Sequence, residues 1–263
     1  MTRKIEAGAS EHYEDGPLYD HFYRRRRHDV RFYTDLASSL GSPVLELGAG
    51  TGRVSLSIAR AGHDVVAVDV SREMLRTARR RLQALSSTPA GKVEWRKADL
   101  RHLRLGRRFP LVIAPFNVFM HLYERRDVEQ ALQTVRTHLR RGGRFVFDVL
   151  MPDLKALTRD PARFYQCGKL RDPSNGERYR YMESFGYEAL RQVQLVTMFM
   201  EHEQKPEDLR LTPLTQRQFF PAELEALLHY NGFEILERLG DFDGEPLRPD
   251  SDSQVIVARA RRS

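Results

Sequence analysis

One glycine-rich segment constrains the fold of this chain more than any other part of the sequence. It reads P-V-L-E-L-G-A-G-T-G-R-V over Pro43–Val54, and V-V-A-V-D follows at Val65–Asp69. The order is a buried strand, a glycine turn, a helix, a second buried strand and an acid at that strand's tip. Open α/β sheets hold adenosine-bearing cofactors with this arrangement. The segment therefore predicts such a sheet, with a cofactor site at its first turn.

The details of the glycine turn favour one kind of cofactor. Gly48, Gly50 and Gly52 form G-x-G-x-G, whereas the dinucleotide fingerprint needs a glycine where Arg53 stands. Glu46 lies at the end of the first strand, where its charge would repel a pyrophosphate. A positively charged cofactor tolerates that carboxylate. We therefore expect S-adenosylmethionine, which carries an ammonium group and a sulfonium.

Three consecutive motifs carry a family resemblance. They are E-L-G-A-G-T-G at Glu46–Gly52, A-V-D-V-S-R-E-M-L at Ala67–Leu75 and K-A-D-L at Lys97–Leu100. Over residues 40–150 their order and spacing resemble class I S-adenosylmethionine-dependent methyltransferases. The resemblance implies an α/β fold, a doubly wound Rossmann-like sheet of seven strands with an antiparallel last strand. It also implies S-adenosylmethionine as cofactor and S-adenosylhomocysteine as product.

The same resemblance implies roles for individual residues. The glycine turn approaches the methionine part of the cofactor, Glu46 orients that region, and Asp69 binds both ribose hydroxyls. Asp99 accepts a hydrogen bond from the adenine amino group, and apolar side chains flank the ring. For each aspartate the alternative is a helix-capping or solvated residue. The predicted cofactor-binding residues are Tyr19, Arg26, Glu46, Gly48, Ala49, Gly50, Gly52, Asp69, Val70, Met74, Ala98, Asp99, Leu100 and Phe116.

The segment A-P-F-N-V-F-M-H-L at Ala114–Leu122 follows the fourth predicted strand, at the edge where ligands collect in such sheets. Asn117 and His121 are four residues apart, so on a helix they would share one face. Both are predicted catalytic residues. His121 suits a general base or substrate hydrogen bond because imidazole titrates near neutral pH. The alternative is a helix histidine that is exposed or bonded to backbone.

A closer resemblance rests on four further features. They are Y-D-H-F-Y-R-R-R-R-H-D-V at Tyr19–Val30, the position of His121 in F-M-H-L, the antiparallel insertion after strand five, and F-F-P-A-E-L-E-A-L-L-H-Y-N-G-F at Phe219–Phe233. These are similar to small-molecule N-methyltransferases, the sugar N,N-dimethyltransferases and the glycine-type enzymes. By that resemblance the first helix covers the cofactor, with Tyr19 and Arg26 at the methionine carboxylate. The predicted substrate residues are Tyr13, Tyr23 and His121, and Tyr23 is also a predicted catalytic residue. Pro110 departs from the family, which has an acid before the fourth strand.

Hydrophobic periodicity predicts the remaining elements. Residues 1–12 are polar and are expected to be mobile. Helices are predicted over Tyr19–Leu40, from the glycines to Ala61, after a Ser71 cap, over Arg126–Leu139 with Gly142 or Gly143 as its left-handed cap, and over Ala222–Tyr230. Core strands are predicted at Pro43–Leu47, Val65–Asp69, Val93–Lys97, Leu111–Pro115, Arg144–Leu150, Phe233–Leu239 and Gln254–Ala260. Residues 178–187, 191–203 and 209–220 alternate polar and apolar and predict antiparallel strands.

This pattern divides the chain into four segments. Residues 1–42 are an N-terminal helical cap, and residues 43–151 are the Rossmann-like cofactor-binding core. Residues 152–220 are an inserted antiparallel β lid over the substrate, and residues 221–263 are the last helix and closing hairpin. A chain of 263 residues with 41% hydrophobic content suits one α/β domain with an insertion.

Composition bears on partners and location. The net charge of +7 raises nucleic acid as a partner. However, the arginines are interleaved with acids through the predicted helices, as on solvated faces, and Arg24–Arg27 on a helix would point in different directions. No stretch is long enough to span a bilayer, and the chain start lacks the apolar core of a secretory signal. Cys167 is the single cysteine. We therefore expect a cytoplasmic protein without a metal site that acts on a small-molecule acceptor; a homodimer is left open.

Three functions are compatible with these residues. The first is methyl transfer to an amine or hydroxyl of a small molecule. The second is RNA or DNA methylation, which the positive net charge supports. The sequence after the fourth strand argues against it, because it reads A-P-F-N and not the (D/N)-P-P-(Y/F) motif of many base methyltransferases. The third is a non-catalytic scaffold that binds the cofactor, against which the intact glycines and Asp69 argue.

Overall fold

The computed structural model describes residues 3–261, which form two compact units. The larger unit comprises Arg26–Met151 and the chain from Phe219 onwards. The smaller unit comprises the chain up to Arg25 together with Pro152–Gln218. The predicted N-terminal segment is thus divided between the two units. Within the described residues, no helix combines the length and the apolar character that a membrane crossing needs.

The secondary structure alternates through the larger unit and becomes purely antiparallel in the smaller one. The helices are α1 Arg3–Ser10, α2 Gly16–Tyr23, α3 His28–Leu40, α4 Arg53–Arg60, α5 Arg72–Gln83, α6 Arg125–His138, α7 Leu154–Leu157 and α8 Pro221–Tyr230. Short 3-10 helices lie at Glu11–Tyr13 and Val118–His121. The strands are β1 Val44–Leu47, β2 Val65–Asp69, β3 Val93–Lys97, β4 Phe109–Ala114, β5 Leu139–Leu150, β6 Tyr165–Arg171, β7 Arg178–Glu188, β8 Val193–His202, β9 Leu209–Arg217, β10 Phe233–Leu239 and β11 Ser253–Ala260.

The larger unit contains the predicted seven-stranded sheet, in the order β10-β11-β5-β4-β1-β2-β3. The strands from β5 to β3 are parallel, and β11 runs antiparallel between β5 and β10. This confirms the predicted fold class. The winding reverses between β1 and β4, and ligands bind such sheets at the carboxyl ends of the strands beside that reversal.

Both faces of this sheet are covered, as a parallel sheet requires. Side chains alternate along β1, so Leu45 and Leu47 enter the core that α6 and α8 cover. Val44 faces the opposite core, which α3 and α4 cover through side chains such as Tyr33 and Ile58. Glu46 shares the face of Val44 and is a buried carboxyl in an otherwise apolar strand.

The N-terminus differs from the prediction. Residues expected to be mobile form α1, whose Ile5 is 1% exposed. Gly8 lies so close to Thr215 of β9 that a side chain there would collide with it. Tertiary packing of one apolar residue and one glycine thus overrides the polar composition of this segment.

The predicted helix over Tyr19–Leu40 is two helices. Asp15 caps α2 by accepting the Leu18 N–H at 2.9 Å, and the chain leaves helical structure at Arg24 before α3 starts at His28. The Arg53 guanidinium donates to the carbonyl of Arg26 at 3.3 Å and so takes up a carbonyl of the connection. The four arginines therefore lie in a connection between helices, and their predicted placement on one continuous helix is wrong.

The smaller unit contains a four-stranded antiparallel sheet in the order β6-β7-β8-β9. Three of these strands were predicted with similar bounds, but β6 was not. The register of β6 against β7 shifts between Gln166 and Gly168, and Gly168 has φ 125°. Such a bulge breaks the period-two pattern by which a strand is recognised in a sequence.

The segment R-R-G-G does not end a helix. The helix α6 ends at His138, and β5 starts at the next residue. Gly142 does have a left-handed backbone, with φ 76°, but it lies inside β5, near the point where the register against β4 shifts. The predicted conformation is correct at Gly142, and the predicted helix cap is wrong.

Candidate active site

The turn between β1 and α4 has the backbone that its spacing predicts. Gly48, Gly50 and Gly52 have φ of 69°, 54° and 78°, in the left-handed region that favours glycine. The N–H of Ala49 donates to the carbonyl of Val68 at 2.9 Å, which ties the turn to β2. The turn is thus held open at the carboxyl edge of the sheet.

A side chain would have different consequences at each glycine. A Cβ on Gly48 would collide with Val118, and one on Gly52 would collide with Trp95. A Cβ on Gly50 would meet no atom within 4 Å. Two glycines are therefore required by packing, while Gly50 faces open space at the middle of the turn.

Asp69 lies at the tip of β2, and each of its carboxylate oxygens accepts a backbone hydrogen bond. The donors are the N–H of Gly50 and the N–H of Ser71, both at 2.7 Å. Burial raises the pKa of this carboxyl above its ordinary value, and these N–H groups act in the opposite direction. The N–H of Val70 also contributes a backbone hydrogen bond that lowers this pKa. Because a carboxylate has about four acceptor positions, about one is left for a ligand hydroxyl.

Glu46 is 2% exposed and accepts a hydrogen bond from the hydroxyl of Ser55 on α4. Burial raises the pKa of this carboxyl to about 8. It is therefore mostly protonated at neutral pH. A cation bound nearby would favour the ionised form and lower that pKa.

Arg101, which the sequence did not indicate, holds the predicted adenine acceptor Asp99. Its Nε lies 3.0 Å from both carboxylate oxygens of Asp99, and another guanidinium nitrogen donates to Asp127 at 2.7 Å. Burial raises the pKa of Asp99, but Arg101 more than offsets this, and the pKa lies below its ordinary value. Recognition of adenine by Asp99 stays a prediction, and it requires the carboxylate to accept from Arg101 and the ring together.

The four apolar residues predicted around the adenine differ in exposure. Val70, next to Asp69, is 66% exposed, whereas Met74 is 1% exposed. Ala98 and Leu100 are partly buried against the core that α6 covers. Val70 thus offers a bare apolar surface beside the carboxylate, and the sandwich of all four stays a prediction.

The residues after β4 do not form the predicted α-helix. Phe116 and Asn117 both have left-handed backbones, with φ of 63° and 65°, and a 3-10 helix follows at Val118–His121. Asn117 precedes that helix, so the prediction that Asn117 and His121 share a helix face is wrong. A left-handed non-glycine residue costs roughly 1–2 kcal/mol, so other contacts must stabilise two in succession.

Asp148 of β5 supplies those contacts and was missed in the sequence. It is fully buried, and its carboxylate accepts the N–H of Phe116 at 2.8 Å and the N–H of Asn117 at 3.3 Å. The hydroxyl of Tyr33 on α3 donates to it at 2.7 Å. Burial raises the pKa of Asp148, and the hydrogen bonds oppose that rise. A buried aspartate in the strand F-V-F-D-V was the one available signal.

The two predicted catalytic residues of this segment have different surroundings. Asn117 is 6% exposed, and its side-chain oxygen is buried without a hydrogen-bond partner. His121 is partly buried, and its Nδ1 lies 3.4 Å from the hydroxyl of Tyr123. Asn117 therefore presents an unused acceptor, while His121 has a neighbour of its own.

The guanidinium group of Arg26 also stacks on this turn. Its guanidinium lies 4.5 Å from the ring centre of Phe116, and that of Arg53 lies 5.4 Å from it. The fully buried Asp29 accepts from Arg26 at 3.2 Å and from two nitrogens of Arg53 at 2.6 and 2.7 Å. Asp29 was not predicted. The one related feature in the sequence was Arg53, its ion-pair partner, at the position where the dinucleotide fingerprint has its last glycine. Binding of a methionine carboxylate by Arg26 stays a prediction.

The predicted tyrosines of the N-terminus lie in the smaller unit, around an unpredicted histidine. His12 is 6% exposed, and its ring centre lies 5.1, 5.5 and 5.8 Å from those of Tyr13, Tyr19 and Tyr23. Its Nε2 shares a hydrogen bond of 3.1 Å with the hydroxyl of Tyr23. Burial lowers the pKa of His12 to about 4. The structure brings the three tyrosines together around a neutral imidazole, and their roles toward ligands stay predictions.

The open region beside Gly50, Asp69 and Val70 forms a crevice at the glycine turn, and the chemistry of its residues fits S-adenosylmethionine. Open space lies above Gly50, where a Cβ would project, and Asp69 retains an acceptor position for a ribose hydroxyl. The exposed Val70 suits one face of an aromatic base, and Glu46 is a buried carboxyl that tolerates a cation and disfavours an anion.

Part of the chain that forms this site matches a known protein family. Residues 44–143 match the family described as a methyltransferase domain. That range contains the glycine turn, Asp69, Asp99 and the turn after β4. Some solved structures that resemble the chain hold S-adenosylmethionine or S-adenosylhomocysteine.

Individual proteins extend the match beyond that range. A cypemycin N-terminal methyltransferase from a Streptomyces species is 33% identical over 49% of this chain, but the alignment spans only 46% of that relative. A glycine/sarcosine N-methyltransferase from Aphanothece halophytica is 26% identical over 97% of this chain and 94% of its own length. The structure of the CcbJ methyltransferase from Streptomyces caelestis superposes with a TM-score of 0.81 at 25% identity, covering 97% of this chain and 99% of CcbJ.

Proposed function

We propose that this chain is a class I S-adenosylmethionine-dependent methyltransferase that methylates an amine of a small-molecule acceptor, as supported by the methyltransferase-domain match over residues 44–143 and by the likeness to N-methyltransferases. The observation that carries the proposal is the pair of bonds from Gly50 and Ser71 to Asp69. They fix a carboxylate beside an open glycine turn. A hydroxyl of the acceptor is the alternative nucleophile.

S-adenosylmethionine, when bound, supplies a methyl carbon already activated by a sulfonium. The chain's contribution is to hold that cofactor and to orient the acceptor. We assign the ribose hydroxyls to Asp69, the methionine part to the glycine turn with Glu46 beneath it, and the adenine to Val70 and Asp99. The amide dipoles at the start of α4 favour a carboxylate at the same place.

Methyl transfer to the acceptor depends more on how the acceptor nitrogen is oriented than on a residue that takes its proton. In the proposed reaction a bond forms between the acceptor nitrogen and the methyl carbon, the carbon–sulfur bond breaks, and the surplus proton leaves to water. An in-line attack on an activated carbon gains most of its rate from orientation and exclusion of water. Asn117 and His121 are the residues we propose to orient the amine.

Two observations support nitrogen, and not oxygen, as the atom that accepts the methyl group. One relative is named for the N-terminus of cypemycin and the other for glycine and sarcosine, so both names specify amines. In this chain, Asn117 offers a buried unused acceptor in the turn after β4, which suits the N–H of an amine.

The test has two arms. Calorimetry should show binding of S-adenosylhomocysteine, and a release assay for that product should show turnover with a pool of small amines but not with matched alcohols. Binding without turnover on any amine, sugar or phenol pool would instead favour a non-catalytic scaffold. Absence of binding would refute the assignment of the crevice.

A nucleic-acid substrate is the second candidate, and the net charge of +7 is the observation that favours it. Against it, guanidinium groups such as those of Arg53, Arg101 and Arg210 are paired with carboxylates and are not displayed as a patch. Copurified nucleic acid, read from the ultraviolet absorbance ratio, and methyl transfer to RNA or DNA would decide for this alternative.

A further inference from the structure

The turn at Phe116 and Asn117 is unusual within the larger unit. Two successive non-glycine residues adopt left-handed backbones one residue after β4 ends. Asparagine tolerates this conformation, but phenylalanine has no local hydrogen bond with which to stabilise it. Such strain persists only where the surroundings impose it, and it is frequent at functional sites.

The surroundings impose it through one carboxylate. One oxygen of Asp148 accepts from the Phe116 N–H and the Tyr33 hydroxyl, and the other accepts from the Asn117 N–H. Asp148 lies in the middle of the larger sheet and is fully buried, so it is a fixed point for the turn. Hydrogen bonds from successive N–H groups to a buried charge are stronger than those between neutral partners.

The turn carries a polar atom with no assigned partner. The side-chain oxygen of Asn117 is buried and accepts no hydrogen bond. The next residue, Val118, fills the space that a side chain on Gly48 would need, so the turn packs directly against the glycine turn. A buried acceptor left unsatisfied beside a ligand crevice is expected to find its donor in a ligand.

We propose that Asp148 is a positioning residue, which holds the left-handed turn so that the amide oxygen of Asn117 accepts the N–H of the acceptor amine. The proposal rests on the proposed function, and it narrows the acceptor to amines that still carry an N–H. One N–H bonded to Asn117 directs the nitrogen lone pair elsewhere, toward the methyl group. A tertiary amine cannot make this bond, so methylation ends at that stage.

The decisive variant is Asp148→Asn, which preserves shape but presents an amide donor to one of the two N–H groups. Amide hydrogen exchange, followed by NMR, is expected to accelerate about tenfold or more at whichever of Phe116 and Asn117 faces the new amide donor, since that N–H loses its acceptor. Turnover is expected to fall about tenfold, while the affinity for S-adenosylhomocysteine changes by less than about threefold. His138→Gln, a change at another buried polar residue of this unit, serves as the control and should leave both amides protected.

A double-mutant cycle separates positioning from general support. Glycine adopts the left-handed backbone unaided, so in a Phe116→Gly background the Asp148→Asn change should reduce turnover by less than about threefold. Should Asp148→Asn alone fail to fold, the double variant is expected to fold, because its turn needs less support. Its failure to fold would overturn the proposal.

The remaining outcomes are equally decisive. Unchanged amide exchange in Asp148→Asn, an equal loss of turnover in both backgrounds, or a parallel loss of cofactor affinity would each overturn the proposal. Repeated methylation of a tertiary amine would contradict the role of Asn117. If no amine is methylated at all, the proposed function fails, while the exchange measurement still decides whether Asp148 holds the turn.

Discussion

The glycine-turn crevice of the larger unit and the aromatic cluster of the smaller unit are built from different materials. The crevice uses backbone N–H groups and carboxylates, with Gly50 and Ser71 donating to Asp69. The cluster uses ring faces, with three tyrosines around His12. Each contains one buried titratable group held in its neutral form, an acid in the crevice and a base in the cluster. The same cause, burial, therefore gives the two regions opposite responses to pH.

The largest expected effect concerns Glu46. Between about pH 5 and pH 8 the folded chain keeps this proton while the unfolded chain has lost it, so stability falls as pH rises. Over that interval the Glu46→Gln variant should gain about 4 kcal/mol relative to the wild type. Chemical denaturation at both pH values measures this. A pH-independent difference would show that Glu46 titrates normally.

The aromatic cluster should show the reverse trend. His12 stays neutral in the folded chain to about pH 4, so the unfolded chain gains a proton first on acidification, and stability is lost below about pH 6.5. Relative to the wild type, His12→Gln should gain about 3 kcal/mol between neutral and acidic pH. His102→Gln, the same replacement at an exposed histidine, serves as the control. Parallel slopes for His12→Gln and the wild type would contradict the assignment.

A pair of glycine substitutions isolates the cofactor contact from backbone strain. Gly50 and Gly62 both have left-handed backbones, and a Cβ on either meets no atom within 4 Å. Alanine at each should lower stability by roughly 1 kcal/mol. Only Gly50→Ala should weaken S-adenosylhomocysteine binding, by about 2 kcal/mol or thirtyfold, because its methyl group would occupy the crevice. Equal affinities in calorimetry would place the cofactor elsewhere.

Loss of the Asp69 carboxylate should weaken cofactor binding somewhat less than the Gly50→Ala change. Asp69→Ala is expected to weaken binding of S-adenosylhomocysteine about tenfold or more, on the order of 1.4 kcal/mol, through loss of the ribose contacts. Asp64→Ala, an exposed position just before the same strand, is the matched control. Unchanged affinity in Asp69→Ala would refute its role.

The smallest expected effect is at His121. Replacement by alanine should slow turnover about fivefold and change cofactor affinity by less than about twofold, since methyl transfer needs no obligatory base. His102→Ala, at an exposed position of the larger unit, controls for loss of an imidazole. Equal losses of turnover and affinity would indicate a structural role for His121.

The sequence predicted the crevice better than the cluster because the two depend on different separations along the chain. The glycine turn, Asp69 and the Ser71 cap lie within one strand–helix–strand unit, where spacing determines the arrangement. The strand β6 and the helix α1 escaped prediction because a bulge and a long-range packing contact, Gly8 on Thr215, decide them. The prediction of an α-helix at Asn117 was wrong because Asp148 stabilises a left-handed backbone at Phe116 and Asn117.

What the sequence determined by itself is the order of the core strands, the left-handed glycine turn and the acid at the tip of β2. These follow from local spacing, hydrophobic periodicity and the conformational freedom of glycine. Only the tertiary structure decided that Asp148 meets Tyr33, 115 positions away in the chain, and the strained turn after β4. It also decided that Asp29 pairs with Arg53 and that His12 is surrounded by tyrosines. A buried polar group takes its partners from whatever the packed sheet brings near it, and no spacing within the chain specifies that choice.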